Sequence, residues 1–152
     1  MITTEAQSSS TQKSATDVVQ AFLSALEQLD VEAVLALAAP DIRWENGGLT
    51  TSKDKAGFEK VLRMMADQLT RFEVQFRDIH ERGDGVVFTD RTDIAEGGGF
   101  FMNLPVRGEF RVRDGLITEW NDQFNWLSFG ADVVKSAPGI AGHWLRKLVG
   151  KA

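Results

Sequence analysis

VVFTDRTDIAEGGGFFMNLPVRGEFRVRDGLITEWNDQFNW, residues Val86 to Trp126, is the stretch that decides the fold. From Phe100 to Val112 the even positions read Phe, Met, Leu, Val, Gly, Phe, Val, and most odd positions from Asn103 are polar. Alternation over that length predicts one long strand with an apolar face. Pro105 falls among the odd positions and marks a bulge or an edge. EGGG before this strand reads as a hairpin turn, and RDG after it as a second. A two-residue Asp114–Gly115 turn would set Glu109 opposite Trp120, mixing charged and apolar faces. A three-residue loop pairs Val112 with Leu116 and Phe110 with Thr118. It keeps the apolar face continuous, so it is the expected register.

The flanking strands carry charge where a plain sheet would carry apolar groups. Arg91 and Asp93 lie two residues apart and share a face, roughly 7 Å apart along the strand. On the last strand Leu116, Thr118, Trp120, Asp122 and Phe124 are expected on one face, with Asp122 its only charge. A carboxylate among Leu, Trp and Phe is costly to bury unless something satisfies it. The expected register puts Asp122 on the face of Leu104 and Val106. Two carboxylates in different environments can divide acid and base work between them. Asp93 would be held by the neighbouring guanidinium, while Asp122 faces the pocket. Each residue alone has a plainer reading, as a structural ion pair or a turn residue. Their coincidence with Trp44 and Asn46 makes the case for chemistry.

The whole chain sets the bounds. Its 152 residues suit one domain with a self-sufficient core. A net charge of −5, with no prominent basic stretch, argues against a nucleic-acid partner. No cysteine is present, which removes disulfide and thiolate chemistry. His80 and His143 are the two histidines, too far apart in sequence to predict a histidine-based metal site. No apolar run reaches the ~20 residues of a membrane span, and no membrane partner is expected. MITTEAQSSSTQKSA lacks the apolar centre of a secretory signal. Residues 1–15 are read as a flexible tail and residues 16–152 as a single domain in a cytoplasmic protein.

Upstream of the central stretch, Val18, Val19, Phe22, Leu26 and Leu29 recur at helical spacing after a cap at Ser14 or Thr16. A second helix opens at Asp30 and runs through VEAVLALAA until Pro40 ends it. DIRWEN alternates as a short strand with Ile42, Trp44 and Asn46 on one side, and the following GG breaks it. Thr51 or Ser52 caps a third helix with Phe58, Val61, Leu62, Met65 and Leu69 as its stripe. Phe72, Val74 and Phe76 alternate as a strand. Downstream, SFGADVVKSAPG reads as irregular. IAGHWLRKLVGK reads as a short basic amphipathic helix, for which packing on the domain or a partner subunit is expected ahead of a membrane-surface role. Helices followed by meandering strands mean α+β, with a curved sheet enclosing an apolar pocket.

On WEN at Trp44–Asn46, DRTD at Asp90–Asp93 and WND at Trp120–Asp122, the chain resembles the limonene-1,2-epoxide hydrolase family over about residues 16 to 129. The resemblance implies an NTF2-like, SnoaL-like cone: a curved mixed sheet wrapped round three N-terminal helices. It also implies a cofactor-independent, metal-free epoxide hydrolase that turns apolar epoxides into vicinal diols, and a homodimer. In that family the carboxylate matching Asp122 takes a proton from water, which attacks the epoxide carbon. The acid matching Asp93 protonates the epoxide oxygen, the arginine matching Arg91 bridges the two, and the asparagine matching Asn46 helps hold the water. The substrate wall is expected from Leu26, Trp44, Met65, Leu104, Val106, Trp120 and Phe124.

The chain departs from the family in two places. Trp44 stands where a tyrosine is usual, and an indole N–H donates but cannot accept a hydrogen bond. Asn121 and Gln123 flank Asp122 in place of the usual arginine and tyrosine. Two other function classes fit the same fold: an isomerase or epoxide-opening cyclase, and a non-catalytic pocket for a small apolar ligand. The chain has no tyrosine, which disfavours an isomerase of the ketosteroid type.

Overall fold

The structure, a computed structural model, describes residues 13–150. The tail expected over residues 1–15 lies, for residues 1–12, outside the described residues. The elements are helix α1 (Ala15–Glu27), α2 (Val31–Ala36), strands β1 (Ala38–Asn46) and β2 (Leu49–Ser52), helix α3 (Lys55–Gln68), strands β3 (Arg71–Gly83), β4 (Val86–Gly97), β5 (Phe100–Arg113) and β6 (Leu116–Gln123), and helix α4 (Trp126–Gly150). One mixed six-stranded sheet has the order β2-β1-β6-β5-β4-β3. Neighbours are antiparallel except β1 and β6, which run parallel. This is the α+β cone that the sequence predicts.

Ser14, Asp30 and Asp54 cap the three N-terminal helices by accepting from backbone N–H groups three residues on. Such caps satisfy donors that the first helical turn leaves free. The core lies between these helices and the inner face of the sheet. Its centre is aromatic. Trp44 of β1 and Trp120 of β6 stack at 4.6 Å, and Phe110 of β5 stacks on the other side of Trp120 at 5.9 Å. Phe22 and Phe58 meet this slab edge-on from α1 and α3, the geometry that ring quadrupoles favour. The far edge strand β3 is closed by α1, where the Glu27 carboxylate accepts from the N–H of Val74 at 2.8 Å. Covering an open edge in this way removes a site for unwanted strand pairing.

The expected β5–β6 register is corrected. The turn is the two-residue Asp114–Gly115 type, both residues at positive φ, and it pairs Arg113 with Leu116 and Val112 with Ile117. A bulge at Thr118 then resets the alternation, so Phe110 lies opposite Trp120 and Gly108 opposite Asp122. Ile117 therefore turns inward beside Trp120 and Asp122, while Leu116 and Thr118 are only half-buried. The extra residue restores the apolar face that an uninterrupted two-residue turn would have broken.

Three boundaries also move. The second helix stops at Ala36, not at Pro40, because Leu37 C=O accepts from Ile117 N–H at 2.8 Å and the chain joins the sheet. Thr51 and Ser52 belong to β2, so Asp54 caps α3 instead. The segment expected to be irregular after Trp126 is helical through Pro138, giving one 25-residue helix. It is anchored on both sides of the proline. Asp132 accepts from Asn103 N–H, Ser136 Oγ bonds both backbone groups of Phe101, and Gly139 packs against Gly99.

Candidate active site

Arg91 points from β4 into the core and has no exposure to solvent. Its Nε donates to Asp93 Oδ1 at 2.9 Å and its Nη2 to Asp93 Oδ2 at 3.1 Å. The same Nη2 donates to Asp122 Oδ2 on β6 at 2.6 Å, and Nη1 donates to Thr89 Oγ1 at 2.8 Å. Trp120 Nε1 donates to Asp122 Oδ1 at 2.8 Å. Asp93 is 6% and Asp122 4% exposed. Two nearly buried carboxylates thus share one guanidinium, which itself lies over the Phe110 ring at 5.9 Å.

Reaching from β4 to β6 requires crossing β5. The crossing is at Gly108, which faces Thr89 on one side and Asp122 on the other. A Cβ there would sit 2.5 Å from Arg91 Nη1, 2.7 Å from Thr89 Oγ1 and 2.9 Å from Asp122 Oδ1. The missing side chain is the passage through which the guanidinium bridges the acids. Neither Gly108 nor Thr89 was among the expected site residues. The glycine interrupting an otherwise apolar face was its available signal, since glycine within a strand often marks close approach.

The electrostatics follow from burial. Desolvation pushes Asp93 up to about 6, helped by the charge of Asp122 and opposed by Arg91. Burial disfavours the charged form of Arg91, but the two carboxylates outweigh it and raise its pKa above the usual value. One cation faces two acids, so a proton on Asp93 leaves the cluster neutral. A lone charge buried in such a setting costs roughly several kcal/mol, and the arginine offsets part of that cost.

The remaining expected residues are less concentrated. Asn46 sits opposite Asp122 in the parallel β1–β6 pairing, and its Nδ2 donates to Thr51 Oγ1 at 2.9 Å, outside the Arg91 cluster. Trp44 is buried in the aromatic slab, and its Nε1 has no hydrogen-bond partner among the described residues. Trp120 is part of the slab and also a direct donor to Asp122, a contact the sequence reading missed. Leu104 and Val106 are buried opposite Asp93 and Arg91. Phe124 meets Trp126 and Phe129 at the junction of β6 and α4. Leu26 and Met65 line a crevice of about 10 Å³ between the three helices, too small for a ligand. Asn121 and Gln123 bond each other, and with Arg107 and Glu109 they line a groove of about 620 Å³ on the outward face of the sheet. Among the described residues, no three His, Asp or Glu side chains form a metal-ligating cluster.

The sequence model of the limonene-1,2-epoxide hydrolase catalytic domain matches residues 13–135. The chain belongs to the limonene-1,2-epoxide hydrolase family. Epoxide hydrolase EphG of Mycobacterium tuberculosis is 36% identical over 107 residues, 70% of each chain. The solved structure of an M. tuberculosis limonene-1,2-epoxide hydrolase-like epoxide hydrolase superposes with a TM-score of 0.73 at 31% identity, covering 84% of this chain and 89% of that one. An NTF2-like protein from Burkholderia pseudomallei shares the fold alone, with a TM-score of 0.66 at 18% identity over 78% of this chain and 95% of its own.

Two outcomes are expected for this family member. Gly108→Ala forces the guanidinium away from Asp122 and costs about 1–3 kcal/mol by overpacking, read from urea unfolding. The raised Asp93 pKa means that the folded protein binds this proton more tightly than the unfolded chain. The stability it contributes is complete below about pH 4 and is lost as pH rises through about 6, on the order of 3 kcal/mol. Urea unfolding across that range shows the slope in the native protein and a flatter one in Asp93→Asn.

Proposed function

We propose that the protein is a cofactor-independent epoxide hydrolase that opens apolar epoxides to vicinal diols in one step. The observation that carries this reading is the single unexposed guanidinium bonded to two almost buried carboxylates, one of them raised to about 6. Such a cluster can hold one acid protonated beside a second that accepts a proton.

In the proposed reaction, water lies between Asp122 and Asn46. A water molecule has two protons to donate. The Asp122 carboxylate accepts one and the Asn46 amide oxygen the other, so the absence of a tyrosine oxygen at Trp44 leaves neither proton unheld. The water oxygen attacks one epoxide carbon as its proton passes to Asp122. The carbon–oxygen bond on that carbon breaks, and the departing oxygen takes the Asp93 proton, which avoids a free alkoxide. The diol leaves with Asp122 protonated and Asp93 ionised, and exchange of that proton back to Asp93 resets the site. No bond to the protein forms. Arg91 balances the cluster charge throughout, and Trp120 and Arg91 together orient Asp122.

The aromatic slab of Trp44, Trp120 and Phe110 fills the cone on one side of the acids. The substrate in this reading therefore lies further along the strands, against Leu104, Val106 and Phe124, with Trp120 as the floor under Asp122. Those side chains are apolar, so they favour an epoxide with a hydrocarbon body. The family resemblance also supports a homodimer. No helix among the described residues is long and apolar enough to cross a membrane.

Asp122→Asn keeps the shape of the site but removes the proton acceptor. Turnover of racemic epoxides such as an alicyclic, an aryl and a fatty example is expected to fall by at least roughly 10², with an unchanged circular dichroism spectrum. Retained diol formation in a folded variant would sink the reading. Hydrolysis in labelled water places one label in the diol, whereas an isomerase or cyclase incorporates none. Because Asp93 must be protonated, kcat/KM is expected to fall as pH rises through about 6, and a flat profile there removes Asp93 from the role of acid.

A further inference from the structure

The amphipathic helix α4 packs the wrong way round for a helix of a globular domain. At 3.6 residues per turn, Asp132, Ser136, Gly139 and His143 share one side, and this side meets the domain. It covers the part of β5 that β6 leaves unpaired: Ser136 bonds Phe101 N–H and C=O, Asp132 accepts from Asn103 N–H, and Gly139 touches Gly99. The opposite half carries Leu127, Val134, Trp144, Leu145, Leu148 and Val149, all exposed, with Leu127 at 83% and Val134 at 72%. A surface helix normally buries its apolar stripe and presents its polar face to water. Here the polar side satisfies a sheet edge, and the apolar half has no cover among the described residues.

The charge on the helix decides between occupants. In a chain of net charge −5, α4 carries Lys135, Arg146 and Lys147 against Asp132 alone. None of the three cations forms an ion pair among the described residues, and Asp132 is occupied by Asn103. Arg146 and Lys147 follow His143 on the polar side in the last turns, and Lys147 lies 5.3 Å over the Trp144 ring. The α4 of a second copy offers these cations no free carboxylate, since its Asp132 is occupied by Asn103. An anionic lipid surface offers both hydrocarbon for the stripe and negative headgroups for the cations of the polar side. The family match ends at residue 135, so Trp144 to Val149 lie beyond the catalytic domain it describes.

We propose that α4 docks the protein on anionic bilayer surfaces, lying in the headgroup plane with Leu127, Val134, Trp144, Leu145, Leu148 and Val149 inserted. Under the epoxide hydrolase reading, this would place the site beside a phase in which apolar epoxides dissolve. The docking itself is read from binding alone, so it stands or falls separately from turnover.

The test is co-sedimentation of the full chain with vesicles of phosphatidylcholine alone or mixed with phosphatidylserine in roughly equal amounts. The native protein is expected to sediment with the anionic vesicles and to be released by high salt. Arg146→Glu/Lys147→Glu is expected to weaken binding by at least roughly tenfold, and Leu145→Glu/Leu148→Glu to abolish it. Both variants should keep the native circular dichroism spectrum and the native activity on a soluble substrate. The proposal is overturned if the native protein does not sediment with anionic vesicles, or sediments equally with neutral ones. It is also overturned if Leu145→Glu/Leu148→Glu leaves vesicle binding intact. A drop in sedimentation-equilibrium mass for that variant, with no vesicle binding by the native chain, assigns the face to a second copy instead.

Discussion

The Arg91 guanidinium crosses β5 in the space where Gly108 has no side chain, and the site depends on that crossing. Without it, Asp93 on β4 and Asp122 on β6 would be two isolated acids on strands separated by a third. With it, they become one hydrogen-bonded unit sharing a single Nη2. The same guanidinium ties Thr89 to the cluster and rests over Phe110. Five of its contacts thus span three strands, and they require the β5–β6 register to be the observed one. A slip of one residue would turn Asp122 to the outer face and Gly108 away from the arginine.

That register is secured at the Asp114–Gly115 turn and the Thr118 bulge. The turn alone would place Glu109 opposite Trp120. The bulge shifts the pairing by one and brings Trp120 opposite Phe110, between Phe110 and Trp44 in the stacked slab. Stacking of three large rings across β1, β6 and β5 then holds the shifted register, because each would lose its neighbours if the strand slid. Trp120 has two roles from this position. Its ring completes the slab, and its N–H fixes one oxygen of Asp122. The apolar slab also withdraws solvent from the acids, which is the largest influence lifting Asp93.

Much of this was legible in the sequence, and the misses have physical causes. Alternation revealed β5, the shared faces of Arg91 with Asp93 and of Trp120 with Asp122, and hence the residues that meet. Those are period-two patterns in single strands, which local sequence carries well. The bulge at Thr118 was not legible, because a bulge is chosen by what the opposite strand needs. Gly108 was visible as a gap in an apolar face, but its purpose is a long side chain arriving from another strand. Leu26 and Met65 follow helical stripes correctly yet pack in a closed crevice, since periodicity gives a face and not a depth. Likewise, Leu37 and Ala38 were read as helix from composition, whereas β6 recruits them into the sheet.

Helix α4 shows the same limit from the other side. Its sequence has a clear apolar half, and the ordinary inference is that this half meets the domain. The sheet poses a different demand: β6 ends at Gln123 and pairs with β5 only from Arg107 onward, so the backbone groups of Phe101 and Asn103 face an open edge. Burying those groups without partners would cost roughly 1–3 kcal/mol each, more than a few aliphatic contacts on a helix of mixed small residues would recover. The polar side of α4 therefore takes the edge, through Ser136 and Asp132, and geometry sends the apolar half outward. The outward stripe is thus a consequence of closing the sheet and at the same time a surface of the kind that water does not tolerate unoccupied. The two needs are met by one helix only because their residues alternate at helical spacing, with the small Gly139 and Ser136 where the backbone must come close and the large Trp144, Leu145 and Leu148 where the chain has left the domain behind.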